Sequence, residues 1–285
     1  MSAQPQPQPL REVRGPSALG GGARRFFDLL WLMAATEFKR VYFGTVLGYL
    51  WSLVRPLLLF GALLFVFTKV FRVGSEKVEH YPVMLLIGIV LYGFFQESTS
   101  NALGSVLAQE AVVRKTQFPR LVIPLASVLT ALFNLALNLI VVFVFVLAFG
   151  VDPAPAWLLF PLAVAALFAL AAGVGTALSV LQVRFRDVAI IWAVTAQVLL
   201  YMTPILYPVD AFADRTYERL LMVNPLAVIL SEVRIWILQE PGAPTPLESA
   251  GGWLGLVPAA SIFIAILLFA AWIFRREAPR IAEAL

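Results

Sequence analysis

Side chains that could do acid, base or metal chemistry are few in this sequence and far apart. One histidine, His80, stands alone among 285 residues, and cysteine is absent. A histidine cluster, a thiolate metal site and a thiol nucleophile are therefore excluded. The segment G-x-x-x-x-G-K-[ST] does not occur, so we expect no nucleotide to bind through a phosphate loop. The residues predict no catalytic, cofactor or metal site on this chain.

Composition indicates where such a chain resides. Hydrophobic residues make up 61% of the sequence and charged residues 13%, against roughly 45–50% and 25% in an average soluble domain. This excess cannot be buried in one soluble core, and it excludes intrinsic disorder. Long apolar runs also break the alternation typical of a transmembrane β-barrel. We therefore expect an all-α integral membrane protein.

Six apolar stretches are long enough to cross a bilayer, which requires about 20 residues each. Most of them lack charge, whereas the first contains Arg55 and the second continues through Glu97 into a Ser/Thr/Asn segment. We expect Glu97 to lie close to the inner surface. The predicted spans lie near residues 44–70, 81–104, 122–149, 156–181, 188–207 and 252–274.

Basic residues predict the orientation of these spans. Fourteen Lys and Arg residues flank the side that carries both termini, against six on the opposite side. Positive residues favour the cytoplasmic face, so both termini should be cytoplasmic. Attraction to anionic membrane lipids accounts for the net charge of +4, and we expect no nucleic-acid partner.

The remaining segments divide the chain into three parts. Residues 4–9 alternate Gln and Pro, and Gly20 to Gly22 form a triple glycine, so that residues 1–22 are predicted to be a disordered cytoplasmic tail. Residues 23–276 form the membrane domain, and residues 277–285 form a second cytoplasmic tail. Within the domain, residues 24–40 are apolar on one face, which favours a helix lying along the membrane surface. The alternative is a simple lead-in to the first span.

Within the first span, Pro56 follows Arg55 directly. Proline inside a helix removes a hydrogen bond and produces a kink. An arginine at that depth either extends to the interface or faces a polar cavity, and both alternatives remain open here. Small residues four apart allow close helix approach; we expect most such pairs, including Ala171 and Gly175, to pack within one subunit.

Two charged links are candidates for docking a cytoplasmic partner. Residues 106–118 mix apolar and polar positions, which predicts a short amphipathic helix ending at Pro119, and residues 182–187 form a shorter link. The alternative is that both are ordinary positively charged inner loops.

A 40-residue stretch from 209 to 248 lies on the other side. Asn224-Pro225 is typical of a helix start, with Asn as cap and Pro at the first position. Apolar residues then follow at helical spacing. We predict two short helices that dip into the outer face, with an ordinary folded loop as the alternative.

Five motifs, in register, resemble one family. The segment 38–53 (FKRVYFGTVLGYLWSL) resembles the entry to the first span in permease subunits of ABC-type polysaccharide exporters, which export O-antigen, capsule, teichoic acid or galactan chains. The segments 115–120 (KTQFPR) and 183–188 (VRFRDV) resemble the cytoplasmic links of that family. The segments 201–208 (YMTPILYP) and 224–226 (NPL) are similar to the end of its fifth span and to its outer-loop signature. Arg55-Pro56 departs from the family, which carries Asn before the proline.

The resemblance implies a bacterial inner-membrane transport subunit rather than an enzyme. It implies a homodimer that binds two copies of an ABC ATPase subunit, which would hold the ATP and Mg²⁺, and a lipid-linked glycan as substrate. Asn224 and Pro225 would belong to an outer gate over residues 212–238. The coupling residues on the two cytoplasmic links would be Glu110, Arg114, Lys115, Phe118, Arg184, Arg186 and Asp187.

Aromatic and polar residues near the first two spans are candidates for the substrate pathway. Sugar C–H faces stack on aromatic rings, which favours Tyr42, Tyr49 and Trp51, although such residues also concentrate at membrane interfaces. Glu97 and Ser98 would offer hydrogen bonds near the inner mouth. Arg55 completes the predicted set.

Three other functions compete with this interpretation. An ABC exporter of drugs or lipids would share the architecture. A membrane-embedded glycosyltransferase would need paired acidic residues or a metal site, and the sequence provides neither. A non-transporting scaffold would lack the two inner docking links.

Overall fold

A computed structural model describes residues 22–42, 48, 50–70, 80–111, 119–209, 214–240 and 242–277 of the chain. Regular structure in these ranges is entirely helical, which confirms the predicted all-α class. Ten α-helices are named here in chain order: α1 (Ala23–Tyr42), α2 (Leu50–Phe65), α3 (Tyr81–Ala108), α4 (Val122–Ala148), α5 (Phe160–Arg184), α6 (Val188–Met202), α7 (Arg215–Leu221), α8 (Pro225–Leu238), α9 (Pro246–Ser249) and α10 (Trp253–Glu277). A π-helical turn, Val66–Val70, extends α2, and a 3₁₀ turn, Pro155–Leu159, leads into α5.

Five of these helical stretches are long and apolar enough to cross a membrane: Leu50–Val70, Tyr81–Ala108, Val122–Ala148, Pro155–Arg184 and Trp253–Glu277. They correspond to five of the six predicted spans. The pair α7 and α8, bent by 105° at its junction, would raise the count to six if it formed one broken span. Of the predicted tails over 1–22 and 277–285, all residues except Gly22 and Glu277 lie outside the described residues.

The predicted fifth span differs from the observed helix. It was expected over 188–207, whereas α6 ends at Met202 after 15 residues, about 22 Å at 1.5 Å per residue. Pro204 explains the early end, because proline disfavours the helical conformation in the preceding residue. Thr203 is accordingly extended, at φ −105° and ψ 135°. The hydrocarbon core is about 30 Å thick, so α6 alone is too short to cross it.

Helix α3 forms the centre of the bundle and packs against α4 and α5. Gly175 lets α5 approach α3 closely, because a Cβ atom at this position would lie only 2.7 Å from the Cβ of Ala102 on α3. Gly173, on the next face of α5, lies against Leu267 of α10 in the same way. The expectation that small-residue pairs pack within one subunit is met at these two positions.

Helix α1 is anchored on α4 rather than lying free. Trp31 and Phe38 each make an edge-on contact with the ring of Phe133, at centroid distances of 5.2 and 5.6 Å. The hydroxyl of Thr130 donates to the carbonyl oxygen of Ala34 over 3.2 Å. These contacts fix the apolar face of α1, and its location at the membrane surface stays a prediction.

Two apolar clusters define the ends of the bundle. The first joins the last turns of α3, α5 and α10 to the start of α4, through Val106, Ile123, Val180 and Phe274. We call this the basic end, because Arg120, Arg184, Arg186, Arg275 and Arg276 lie on or beside it. The second cluster joins Val209, Met222, Ala227 and Ala250, and we call that side the distal end.

Candidate functional site

A hydrogen-bonded acid and amide lie between α3 and α4. The Nδ2 atom of Asn134 donates to Oε1 of Glu97 over 2.6 Å. From the basic end, Glu97 is 11 residues from the end of α3 and Asn134 is 12 residues from the start of α4. At 1.5 Å per residue the two depths are about 16 and 18 Å. The pair therefore lies about midway along the two helices, with Asn134 buried and Glu97 exposed on the surface of the single subunit.

This depth corrects the expectation that Glu97 lies close to the inner surface. The polar segment after Glu97 does not end the helix, which continues four residues beyond the predicted end to Ala108. The helix accommodates Ser98 and Thr99, because their hydroxyls donate to carbonyl oxygens one turn earlier, over 2.6 and 2.7 Å, and are thereby paired. Ser98 is completely buried, so this predicted pathway residue is not accessible to a substrate in this conformation.

Arg55 lies on α2, and its side chain is exposed in the single subunit. Helix α2 continues through Pro56 to Phe65. Both alternatives for Arg55, extension to the interface and a polar cavity, stay predictions.

The three predicted aromatic pathway residues differ in what can be said of them. Trp51 is 55% exposed on the first turn of α2, where a substrate or a second subunit could reach it. Tyr49 and the side chain of Tyr42 lie outside the described residues. A pathway role for all three stays a prediction.

The predicted coupling residues divide between described and undescribed parts of the chain. Arg114, Lys115 and Phe118 lie outside the described residues, and Glu110 is exposed just beyond α3. The amphipathic helix expected over 106–118 is wrong at its start, because Val106 to Ala108 form the last turn of α3. That turn is part of the transmembrane helix because Val106 is buried in the apolar cluster at the basic end.

The second link is well described and highly exposed. Arg184, Arg186 and Asp187 all face outward at the junction of α5 and α6. One guanidinium nitrogen of Arg184 lies 3.7 Å from Oε1 of Glu277, on α10. This ion pair joins the last residue of α5 to the end of α10.

Asn224 organises the distal end, where α7 and α8 lie within the stretch 209–248. Its Oδ1 atom accepts a hydrogen bond from the backbone N–H of Leu226 over 3.0 Å, which caps α8. Its Nδ2 atom donates to Oγ1 of Thr203 over 3.2 Å. Pro225 is buried at the first helical position. The two predicted short helices are confirmed, and Asn224 links the start of α8 to the end of α6.

Sequence reasoning missed two groups of residues. Asn134 lies in a charge-free run for which hydropathy predicts only a span, although a second asparagine four residues later, Asn138, marks one polar face. At the distal end, Arg234 and Glu240 form an ion pair of 2.9 Å with both side chains largely buried. No sequence pattern signals that pair, because it depends on the turn after α8.

Comparison with known proteins agrees with this architecture. The family model described as ABC-2 type transporter matches residues 28–238, which contain α2 to α8 and most of α1. An O-antigen export system permease protein RfbA of Klebsiella pneumoniae is 32% identical over 205 residues, which cover 72% of this chain and 78% of the relative. A second such protein from K. pneumoniae is 31% identical over the same shares of both chains.

A more distant relative extends the match to almost the whole chain. The O-antigen export system permease protein RfbA of Myxococcus xanthus is 25% identical over 262 residues, which cover 92% of this chain and 96% of that protein. The family match spans well over half of the sequence, and the apolar helices are those of a multi-pass membrane protein. This chain belongs to the family of ABC-2 type transporters.

Proposed function

We propose that this chain is the membrane-spanning subunit of an ATP-driven exporter that moves a lipid-linked polysaccharide out of the cytoplasm. The observation that carries the proposal is the match to O-antigen export permeases over as much as 92% of the chain. The structure is compatible with a conduit, because a hydrogen-bonded carboxylate and amide lie midway along the apolar helices α3 and α4. The chain itself is a transport subunit and not an enzyme.

The energy source would be a separate ABC ATPase subunit, present in two copies. The absence of a phosphate-loop sequence supports this division of labour. Docking would occur at the basic end, where Glu110, Arg186 and Asp187 are exposed. Docking at the basic end would mean that this end and both termini are cytoplasmic. The excess of Lys and Arg on that side supports this orientation.

The working unit would be a homodimer. Helix α6 is too short to cross the bilayer alone, and it exposes large apolar side chains such as Ile191, Val194 and Val198. Helix α2 exposes Trp51, Leu58 and Phe65 in the same way. A second subunit would cover these faces and enclose a path between the two copies, with α7 and α8 as the outer gate.

A direct test compares ATP hydrolysis by the purified chain with that of its complex. The chain alone should hydrolyse no ATP, whereas the complex should hydrolyse it and export polymer into vesicles. Hydrolysis by the lone chain would contradict the proposal. Deletion of the chain should also remove polysaccharide from the cell surface. If surface polysaccharide is unchanged but export of a lipid or drug is lost, the result favours the alternative, an ABC exporter of drugs or lipids.

Charge reversal tests the coupling assignment. We expect Arg186→Glu, or a reversal at Glu110, to preserve ATP hydrolysis by the partner but to uncouple it from export. Arg219→Glu is the matched control, because Arg219 is equally exposed but lies on α7 at the distal end. Unchanged export in both coupling variants would remove the assignment.

A further inference from the structure

The last turns of α10 carry an open groove, partly apolar and partly basic, on the surface of the subunit. Its volume is about 470 Å³. The residues that line it recur at helical spacing and are all exposed: Leu268, Ala271, Trp272, Arg275 and Arg276. On another face of the same turns, Ile273 and Phe274 are buried in the apolar cluster at the basic end. The groove therefore lies on a face of α10 that the bundle does not use.

The two guanidinium groups of the groove are held differently. The Cζ atom of Arg276 lies 5.3 Å from the ring centroid of Trp272, which is a cation–π contact. The Oε1 atom of Glu277 lies 3.7 Å from Nε of Arg276 and 3.7 Å from a guanidinium nitrogen of Arg184. Arg275 makes no ion pair within the part of the chain that the structure describes. Since one carboxylate is shared between two arginines, the groove retains positive charge.

The groove spans two depths of the bilayer. Helix α10 has 25 residues, about 38 Å at 1.5 Å per residue, against about 30 Å for the hydrocarbon core. A centred helix would extend about 4 Å beyond each side, which puts Arg275 and Arg276 at the level of the lipid head groups. Leu268 lies about 10 Å further in, at the level of the acyl chains. A fitting ligand is therefore anionic at one end and apolar at the other.

We propose that this groove binds one anionic phospholipid of the surrounding bilayer. The head-group phosphate would contact Arg275 and Arg276, and an acyl chain would lie along Trp272 and Leu268. Guanidinium groups bind phosphate oxygens strongly, whereas the choline of a zwitterionic lipid would add a cation beside them. The groove lies outside the proposed dimer faces of α2 and α6, which favours a resident lipid over transported polymer. This site goes beyond the proposed function and does not rest on it.

Lipid titration of the purified full chain in detergent tests the site. The probe is dioleoylphosphatidylglycerol, compared with dioleoylphosphatidylcholine. The double variant Arg275→Gln, Arg276→Gln should raise the half-saturating concentration of the anionic lipid about thirtyfold and should not change that of the zwitterionic lipid. The matched control is Arg24→Gln, Arg25→Gln, which removes the same charge from an exposed arginine pair at the start of α1. Equal changes in both double variants would mean diffuse attraction of anionic lipid and would overturn the proposal.

Tryptophan fluorescence provides a second measurement that leaves the arginines intact. Phosphatidylglycerol brominated near the start of its acyl chains should quench the protein more than brominated phosphatidylcholine does, because it occupies the groove. Trp272→Phe should abolish this difference. Trp253→Phe is the matched control, since Trp253 is 78% exposed at the opposite end of the same helix, and it should preserve the difference. An unchanged difference in Trp272→Phe would overturn the proposal.

Competition identifies the occupant. Inorganic phosphate, added at constant ionic strength, should not displace bound phosphatidylglycerol, because it leaves the apolar part of the groove empty. Displacement by inorganic phosphate would show a site for free anions and would overturn the proposal. Polyprenyl pyrophosphate represents the carrier end of a transported lipid. If it binds the arginine pair more tightly than phosphatidylglycerol does, the groove is a cargo site and the assignment to a resident phospholipid is wrong.

Discussion

Helix α3 and the stretch Leu50–Val70, which is α2 with its π-helical turn, are both apolar and long enough to span a membrane, yet they are packed in opposite ways. In α3, 72% of the apolar stretch is buried inside the subunit, whereas in the stretch Leu50–Val70 the share is 6%. Among the five long helices of the described chain, α3 is the least apolar. Burial in this protein therefore does not follow hydrophobicity.

The physical reason is the solvent. Lipid tails solvate leucine and valine as well as another helix does, so packing in a bilayer depends on close fit and on hydrogen bonds. Helix α3 carries small and hydroxyl residues, among them Gly88, Ser98, Thr99 and Ala102, and these let neighbouring backbones approach. Helices α2 and α6 expose large side chains on the surface of the subunit, where lipid or a second subunit can contact them.

The largest expected difference is between truncating a leucine at the buried centre of the subunit and truncating one at its exposed margin. Leu135 is 2% exposed and Leu147 is 53% exposed, and both lie on α4. We expect Leu135→Ala to cost about 2–5 kcal/mol, because the cavity cannot be filled by lipid, and Leu147→Ala to cost less than about 0.5 kcal/mol. Thermal unfolding in detergent measures both. Equal shifts would show that the centre is not better packed than the margin.

Added volume at the centre should have the next largest effect. Gly175→Ala should destabilise the subunit by about 1–3 kcal/mol, because the new Cβ overlaps that of Ala102. Gly104→Ala is the control, since nothing lies within 4 Å of its added Cβ. Combining Gly175→Ala with Ala102→Gly should restore part of the loss. Failure of this rescue would indicate that another contact limits the approach of α5 to α3.

At the margin, a bulky residue should change assembly rather than folding. Val198 of α6 and Ile264 of α10 are 48% and 54% exposed. We expect Val198→Trp to weaken the proposed homodimer about tenfold, or ~1.4 kcal/mol, without lowering the unfolding temperature. Ile264→Trp, on α10 and outside the proposed dimer faces of α2 and α6, should leave the dimer intact. Size-exclusion chromatography with light scattering distinguishes the two, and a reversed pattern would move the interface to α10.

The smallest effect is expected at the most exposed helix, α7. The Asp214 carboxylate accepts a hydrogen bond from the backbone N–H of Thr216 over 2.8 Å, which lowers the pKa of Asp214 below its ordinary value. A lowered pKa means that the cap contributes at neutral pH and is lost as the pH falls through that value. Amide hydrogen exchange in α7, corrected for its intrinsic pH dependence, should then show weaker protection at acid pH. Asp214→Asn, which caps without charge, should not show this change.

The apolar runs and their flanking residues were sufficient to predict much of this protein. Five spans, the helix start at Asn224-Pro225 and the family all follow from local patterns, because the hydrocarbon thickness and the capping geometry act on neighbouring residues. The early end of α6 could also have been predicted, since Pro204 lies inside the expected span. The depth of Glu97 could not, because hydropathy does not show that α3 continues through its polar segment to Ala108.

The arrangement of helices around α3 decides everything else about the candidate site. Glu97 and Asn134 are 37 residues apart, and Arg234 meets Glu240 only because of the turn after α8. Hydropathy ranks α2 and α4 above α3 and therefore points to the wrong centre. In a bilayer every apolar helix is solvated equally well, so the pairing of helices is set by small residues and polar contacts that only the assembled bundle reveals.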